Sequence, residues 1–535
     1  MISYLKRSAV GYFGLFLFLA FSFVGCNPKK GKETDKGMVK EQVEELVSLE
    51  YSRIGRSTVI ANLDVPWELV WGPDNWIWFT EQGGRVSRVN PETGEVKLLL
   101  EIPNVFRKRT TGLLGMAVHP DLERFPYVFV HYTEKREDAI VSKLVRYTYE
   151  KEVLVAPQVL LEIPGHTSHN GSRLLISPDG KIMWATGDVG PNTDNSQNIR
   201  SMNGKILRLN MDGSIPEDNP FFQSLVWSWG QRNVQGMAYG TNGHLYTSEH
   251  GDATDDEVNL MKKGGNYGWP NVEGFCDTPR EESFCRDSLM VPPLKSWTPT
   301  IAPAGIDYYG SANIPEWENS LLLATLKEND LRVLKLNKEG NAIVSEKVLF
   351  DRSMGRIRDL CISPKGDVYL STSNRDWNPS EGFPVKEDDR IIKIFKVGPE
   401  DGLSENTVVK QPVEVGMKGM HNPPSKGEVK YAHYCASCHK PDGDGVKGVF
   451  PALNGSGKVM GNKEQLIKLA LYGVNSTLNR EGGSPYDSSM PGFHFLSNED
   501  MALILSYVRW QFGGNLDSIS PQEINAVRTQ FVIDD

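Results

Sequence analysis

The chain has no basic run. Its 58 lysines and arginines are outnumbered by 68 aspartates and glutamates, for a formal net charge of −10. Nucleic acid needs a clustered positive surface, so it is not an expected partner. Long apolar stretches are also missing. The one run near the N-terminus, about residues 10–24, is too short for a comfortable membrane span and fits a signal-peptide core behind Lys6 and Arg7. Cysteine is scarce, six in 535 residues, so each one can be asked for its job. What remains is a globular composition, 39% hydrophobic and 24% charged, in a chain long enough for several domains.

Cys26 follows Phe23-Val24-Gly25 at the end of the apolar core, which resembles a bacterial lipoprotein processing site. Residues 1–25 then read as a lipoprotein signal peptide, and Cys26 as the lipid-bearing first residue. Residues 26–54 read as a tether. The alternative is a short uncleaved anchor. Either way the chain is expected outside the cytoplasm, periplasmic or on the cell surface, held to a bacterial membrane. Cys276 and Cys285 lie close together and could close a loop by a disulfide, which persists only in an oxidising compartment. Cys361 sits in an apolar strand pattern and reads as a small core residue.

The last two cysteines fall in Cys435-Ala436-Ser437-Cys438-His439. This is the C-x-x-C-H spacing that attaches a c-type haem: two thiols add to two vinyl groups and the histidine ligates iron. A redox or zinc C-x-x-C is the alternative. Met490, in Ser489-Met490-Pro491-Gly492, supplies a thioether for the opposite face; His494 is the competing ligand. Residues 427–513 resemble a small class I cytochrome c, which implies three helices and Met490 as distal ligand. Helical patterns are expected at 430–438, 463–472 and 498–512. The tail 514–535 has one weak helical stretch near 521–531.

Residues 55–397 repeat a pattern: a strand end, a Pro/Asp/Gly turn and a second apolar strand. Copies run through 71–80, 176–186, 239–248 and 362–371, with weaker ones at 118–130 and 319–325. Companion strands with one wet face follow at 86–89, 144–147, 206–209, 331–336 and 391–394. Six such units predict an all-β six-bladed β-propeller, followed by a linker at 398–426 and the small all-α cytochrome. A β-sandwich is the alternative.

Polar clusters interrupt the blade pattern: His166 to Arg173, Trp229 to Gly236, Glu249 to Glu257, and Arg356-Ile357-Arg358-Asp359, with Lys327 after an apolar strand. They offer a histidine base, hard oxygen ligands for a cation such as Ca²⁺, and several cations for an anion. Taken singly, each also reads as a structural hydrogen-bonder or a solvated turn. Together with Gly112-Leu113-Leu114-Gly115, residues 204–210, Asp212-Gly213-Ser214-Ile215-Pro216 and Gly265-Asn266-Tyr267-Gly268-Trp269-Pro270, the wording resembles the soluble quinoprotein aldose (glucose) dehydrogenases, which use pyrroloquinoline quinone (PQQ) and Ca²⁺.

That resemblance implies His169 as general base and Arg232 beside the reactive carbonyl of the quinone. It implies Asn233, Lys327, Arg356 and Arg358 as holders of the tricarboxylate cofactor. Gly251 and Asp252 would bind Ca²⁺ through backbone carbonyls, and Trp297 would stand at the rim of the site. The sequence departs from the glucose oxidisers at Thr110, Ser168 and Val189, where the family carries sugar-facing polar groups. The expected function is therefore oxidation of an aldose with PQQ, electrons passing through the haem to an external acceptor. A PQQ enzyme for non-sugar alcohols or aldehydes, and a non-catalytic glycan- or protein-binding propeller with an electron-carrier cytochrome, are the alternatives.

Overall fold

The computed structural model describes residues 43–190, 192–398, 403–410, 426–474, 490–514 and 516–531. Cys26 lies outside them. No helix among the described residues is long and apolar enough to cross a membrane.

Six sheets form the propeller, the four strands of each blade pairing antiparallel. Blade 1 runs from Pro66–Trp71 through Ile77–Glu81 and Arg85–Val89 to Val96–Glu101; blade 2 is built from Leu113–Val118, Tyr127–Arg136, Ala139–Glu150 and Val153–Gly165. Blade 3 comprises Gly171–Ile176, Ile182–Thr186, Lys205–Leu209 and Val226–Trp229. Blade 4 comprises Val234–Tyr239, Leu245–Glu249, Asp256–Met261 and Lys295–Trp297. Blade 5 follows with Pro303–Tyr309, Ser320–Thr325, Leu331–Leu336 and Ile343–Leu349; blade 6 starts with Ile357–Ile362, Val368–Thr372 and Ile391–Lys396.

In five blades the inner hairpin coincides with a repeated turn; in blade 5 the copy at 319–325 is the second strand itself, and the turn before it spans 310–319. The burial pattern explains why strict alternation is faint. Second strands such as Ile77–Glu81 and Ile182–Thr186 are buried at every position, because each blade is covered by neighbours on both faces. Wet faces return only outside, as at Val96–Glu101.

Blade 6 takes its fourth strand, Arg53–Ile60, from the other end of the domain. It pairs antiparallel with Ile391–Lys396, Ile54 opposite Lys396 and Thr58 opposite Ile392. Val43–Ser48 then pairs with Arg53–Ile60, and Leu403–Lys410 adds in parallel beyond it. Two boundaries are thereby corrected. The expected tether through residue 54 and the expected linker from residue 398 each contribute a strand to this sheet. Edge pairing supplies the backbone hydrogen bonds that their short, mixed-polarity sequences do not advertise.

First strands line the central channel. Three buried groups meet there: Arg173 Nη1 contacts Glu68 and lies 2.8 Å from Asp359 Oδ2, while Asp359 also accepts from Leu69 N at 2.6 Å. The guanidinium further donates to Gln235 O at 2.9 Å. Burial pushes Glu68 well above the carboxylate range, with Arg173 only partly offsetting it, and raises Asp359 as well. One guanidinium thus ties blades 1, 3, 4 and 6 together. The backbones come close here too: a Cβ on Gly115 would stand 1.8 Å from Ser172 O, so only glycine fits between blades 2 and 3.

The cytochrome unit has helices Lys426–Tyr434, Ala436–His439, Gly457–Met460, Lys463–Tyr472 and Asn498–Gln511. Pro521–Phe531 is a full helix whose Ile524 and Val527 join the same core as Leu466, Ile467, Leu505 and Val508. The tail is therefore part of this unit.

Two substitutions probe these joints. Ile54, fully buried between blades 5 and 6, should cost about 2–5 kcal/mol as Ile54→Ala, against under about 0.5 for the exposed Leu98→Ala, in urea unfolding. Arg173→Met strands two buried carboxyls and should cost about 3–5 kcal/mol by the same measurement.

Candidate functional site

The site forms where the loops of blades 3 to 6 converge. His169 leads into blade 3 with φ +54°, a backbone region sparsely used by residues with a Cβ. Its Nδ1 lies 2.8 Å from Asp188 Oδ1. Close backbone contact makes that pairing: a Cβ on Gly187 would fall 2.0 Å from His169 O, so glycine is required beside Asp188. Asp188 also accepts from Trp269 Nε1 at 2.9 Å and from Gly190 N at 3.0 Å. Burial pushes its carboxyl up, but His169, Arg232 and the Trp269 N–H outweigh that and hold it below its ordinary value. As a carboxylate it accepts from Nδ1–H, which leaves Nε2 as the basic nitrogen.

Arg232 is buried over the Trp269 ring, 5.1 Å from its centroid, and pairs with Asp252 Oδ1 at 2.7 Å. Its backbone N–H and that of Asn233 donate to the buried Glu249, whose carboxyl burial pushes up to about 7. Asn233 turns its side chain to the chain itself, accepting from Gly171 N at 3.1 Å and Gln235 Nε2 at 3.2 Å.

Arg356 and Arg358 both reach one oxygen of Asp376, each at 3.3 Å. Arg358 also donates to Gln235 Oε1 at 3.1 Å, and burial lowers its guanidinium to about 10. Lys327 Nζ donates to Thr300 Oγ1 at 2.9 Å and to His433 O at 2.7 Å, with burial lowering its pKa. The Nε atoms of Arg232, Arg356 and Arg358 are buried without a hydrogen-bond partner. Gly251 donates its N–H to Asp256 Oδ1 at 2.8 Å and lies with Asp252 on the loop after Leu245–Glu249. No set of three His, Cys, Asp or Glu side chains among the described residues is arranged to hold a metal ion.

Trp297 is elsewhere, and its expected place at the rim is corrected. It ends the outer strand of blade 4, donates to Glu346 Oε1 of blade 5 at 3.1 Å, and packs with Leu321 and Leu334 between those blades. Trp269 is the aromatic beside Arg232. The three departing positions face inward to the protein: Thr110 Oγ1 donates to Thr167 O at 3.0 Å, Ser168 Oγ lies 2.9 Å from His166 Nδ1, and Val189 is buried. Cys276 and Cys285 form a disulfide, and Cys361 is buried in the core.

Asp188 and Asp376 were not singled out by the sequence, and Glu249 and Trp269 stood in its polar clusters without an assigned role. A base needs an orienting acid, but nothing local marks which of 68 carboxylates lies next to it. Asp188 stands in Gly187-Asp188 directly after a strand, and the glycine was the available signal.

In the cytochrome unit, Cys435, Cys438, His439 and Met490 line one cavity of about 210 Å³, walled by Phe450, Leu466, Phe493 and Ile504 among others. His439 Nδ1 is held by Pro451 O at 2.9 Å and burial lowers the ring pKa, so Nε2 is kept neutral and available as a ligand. His494 is not part of that wall; its carbonyl accepts from Arg528 at 2.5 Å. Asp252, Thr300 and Lys327 of the propeller close the same cavity.

A glucose/sorbosone dehydrogenase family model matches residues 63–378, and a cytochrome c model matches residues 424–511. Quinoprotein glucose dehydrogenase B of Acinetobacter calcoaceticus is 34% identical over 425 residues, covering 63% of this chain and 87% of the relative. Aldose sugar dehydrogenase YliI of Escherichia coli strain K12 is 30% identical over 330 residues, covering 58% and 87%. The solved PQQ-bound aldose sugar dehydrogenase of Streptomyces coelicolor aligns with TM-score 0.56 at 31% identity, over 65% of this chain and 99% of that one. A propeller of this build, with a histidine–aspartate pair facing buried arginines, and a haem-type cavity in the same chain, is accounted for by one statement: the chain belongs to the glucose/sorbosone dehydrogenase family, an oxidoreductase extended by a cytochrome c domain.

Proposed function

We propose that the chain is an exported quinohaemoprotein that oxidises the anomeric hydroxyl of an aldose. PQQ and Ca²⁺ serve the propeller, covalent haem c serves the C-terminal unit, and an external acceptor takes the electrons. The observation that carries this reading is a surplus of buried positive charge. Arg356 and Arg358 share one carboxylate, Lys327 binds only a hydroxyl and a carbonyl, and three guanidinium Nε atoms have no partner. Unpaired buried cations are costly, and a compact polycarboxylate fits them.

When bound, PQQ supplies a two-electron acceptor for the substrate hydride, and haem a one-electron carrier. The chain's own residues do the rest. His169 Nε2 takes the hydroxyl proton, and Asp188 fixes the tautomer and stabilises the imidazolium that results. Arg232 offers its guanidinium to negative charge that develops at the reacting centre, stiffened by Asp252 and Trp269. Lys327, Arg356 and Arg358 would hold the cofactor carboxylates, and the carbonyls of Gly251 and Asp252 the Ca²⁺. Cys435 and Cys438 would carry thioether bonds, with His439 and Met490 on iron. Lipid on Cys26 would tether the protein on the exported side of the membrane, where the Cys276–Cys285 disulfide persists.

A second reading, a PQQ enzyme for non-sugar alcohols or aldehydes, is favoured by the inward-turned Thr110 and Ser168 and the apolar Val189. These positions offer no hydroxyl partner at the substrate.

The test is an optical spectrum of haem-loaded protein with Ca²⁺, with and without PQQ, before and after a panel of aldoses. Reduced c-type haem bands only with PQQ and an aldose are expected. Quinone binding with no reduction by any aldose, but reduction by simple alcohols, overturns the substrate class. No quinone binding leaves a binding propeller. His169→Ala should abolish turnover with PQQ affinity retained. Asp188→Asn should lower kcat by about 10²–10⁴-fold with little change in KM; a defect confined to KM would refute the pair's role.

A further inference from the structure

The segment after strand Val368–Thr372 holds two different things at once. Asp376 Oδ2 receives Arg356 and Arg358, the cations at the heart of the site. Its Oδ1 accepts from Asn378 N at 3.0 Å, which fixes the turn that follows. That turn grips the haem-attachment segment. Asn378 Nδ2 donates to Ser437 O at 2.9 Å, between the two haem cysteines. Lys440, next to His439, donates to Asn378 Oδ1 and to Pro379 O at 2.8 Å. The Trp377 ring lies 5.7 Å from Phe450, which walls the haem cavity, and carries the Arg109 guanidinium at 4.9 Å on its ring. Across the rim, Lys327 holds His433 O, and Ala253 packs against the cytochrome core.

We propose that residues 376–379 are the docking seat for the chain's own haem-attachment segment, 435–440, and that Asp376 makes this seat one piece with the cofactor-facing arginines. The seat reads backbone and shape: two carbonyls, one ammonium and an aromatic pair, all part-buried. Such a contact holds one orientation, unlike a salt-screened patch of surface charge. The haem-bearing segment is thereby presented to the site itself, so electrons leave the propeller at this edge. This inference rests on the proposed function only for the identity of the two cofactors.

Haem-loaded full-length protein tests it without PQQ. Trp377→Ala/Asn378→Ala keeps the backbone N–H on Asp376 but removes the grip. Amide hydrogen exchange over residues 433–440 should rise about tenfold or more, with blades 1 to 5 unchanged. Lys440→Met, made from the cytochrome side, should do the same. Unchanged exchange in both variants overturns the proposal. With PQQ and substrate, dye-coupled oxidation should stay within about twofold of the parent while haem reduction slows at least about tenfold. Equal losses in both rates would show that the turn only supports the site, and overturn the seat. Faster exchange in a protein whose parent oxidises no substrate at all would confirm the seat and refute the proposed function instead.

Discussion

A ring of blades works only if its ends meet. Here the meeting is made by Arg53–Ile60, which leaves the N-terminal side of the domain and completes blade 6 against Ile391–Lys396. Everything at the axis depends on it. The channel residues come from first strands that touch one another in a closed circle, and an open ring would let those strands part. Arg173 works at the same joint from inside, linking Glu68 of blade 1 and Asp359 of blade 6 to blade 3. Closure from outside is an antiparallel backbone ladder packed over buried apolar side chains such as Ile54. Closure at the axis is ionic, and sets which loops face each other.

The axis sets the chemistry through charge balance. Near the channel, Arg173 has two carboxyls for one guanidinium, and burial pushes both carboxyls up. One level higher the balance reverses: two guanidiniums share Asp376, and Lys327 has a charged partner only at a distance. A protein interior keeps such an inequality only where something compensates. In the lower layer Arg173 lies between the two carboxyls and burial disfavours the charged form of each. Under the proposed function an anionic cofactor would do so for the upper layer, held by the same cations beside His169.

The sequence made the blades legible because each inner hairpin needs a tight turn, and Pro, Asp, Asn and Gly mark tight turns. It hid the third strand of blade 4, Asp256–Met261, because that strand begins with two buried carboxylates that read as a solvated loop. It hid the strand Val43–Ser48 for a similar reason: Glu44 and Glu45 look like tether, yet Glu45 is buried against Arg56 at 2.9 Å. The site divided along the same line. His169, Arg232, Lys327, Arg356 and Arg358 could be pointed to by resemblance, while the links of Asp188 to His169 and Trp269, and of Asp376 to two arginines, are contacts across 18 to 81 residues that only the fold brings together. Trp297 was misplaced because a Trp-Thr-Pro string says nothing about which face of an outer strand it occupies.

The arrangement of the two units follows from the chemistry each must exclude. A dehydrogenase site has to admit substrate but deny its reduced cofactor to adventitious oxidants. In this chain Asp252, Thr300 and Lys327 form part of the wall of the cytochrome's own cavity, so one side of the mouth is already covered by protein. Under the proposed function that cover would also be the electron acceptor, which would narrow access for competing acceptors and shorten the path to the intended one.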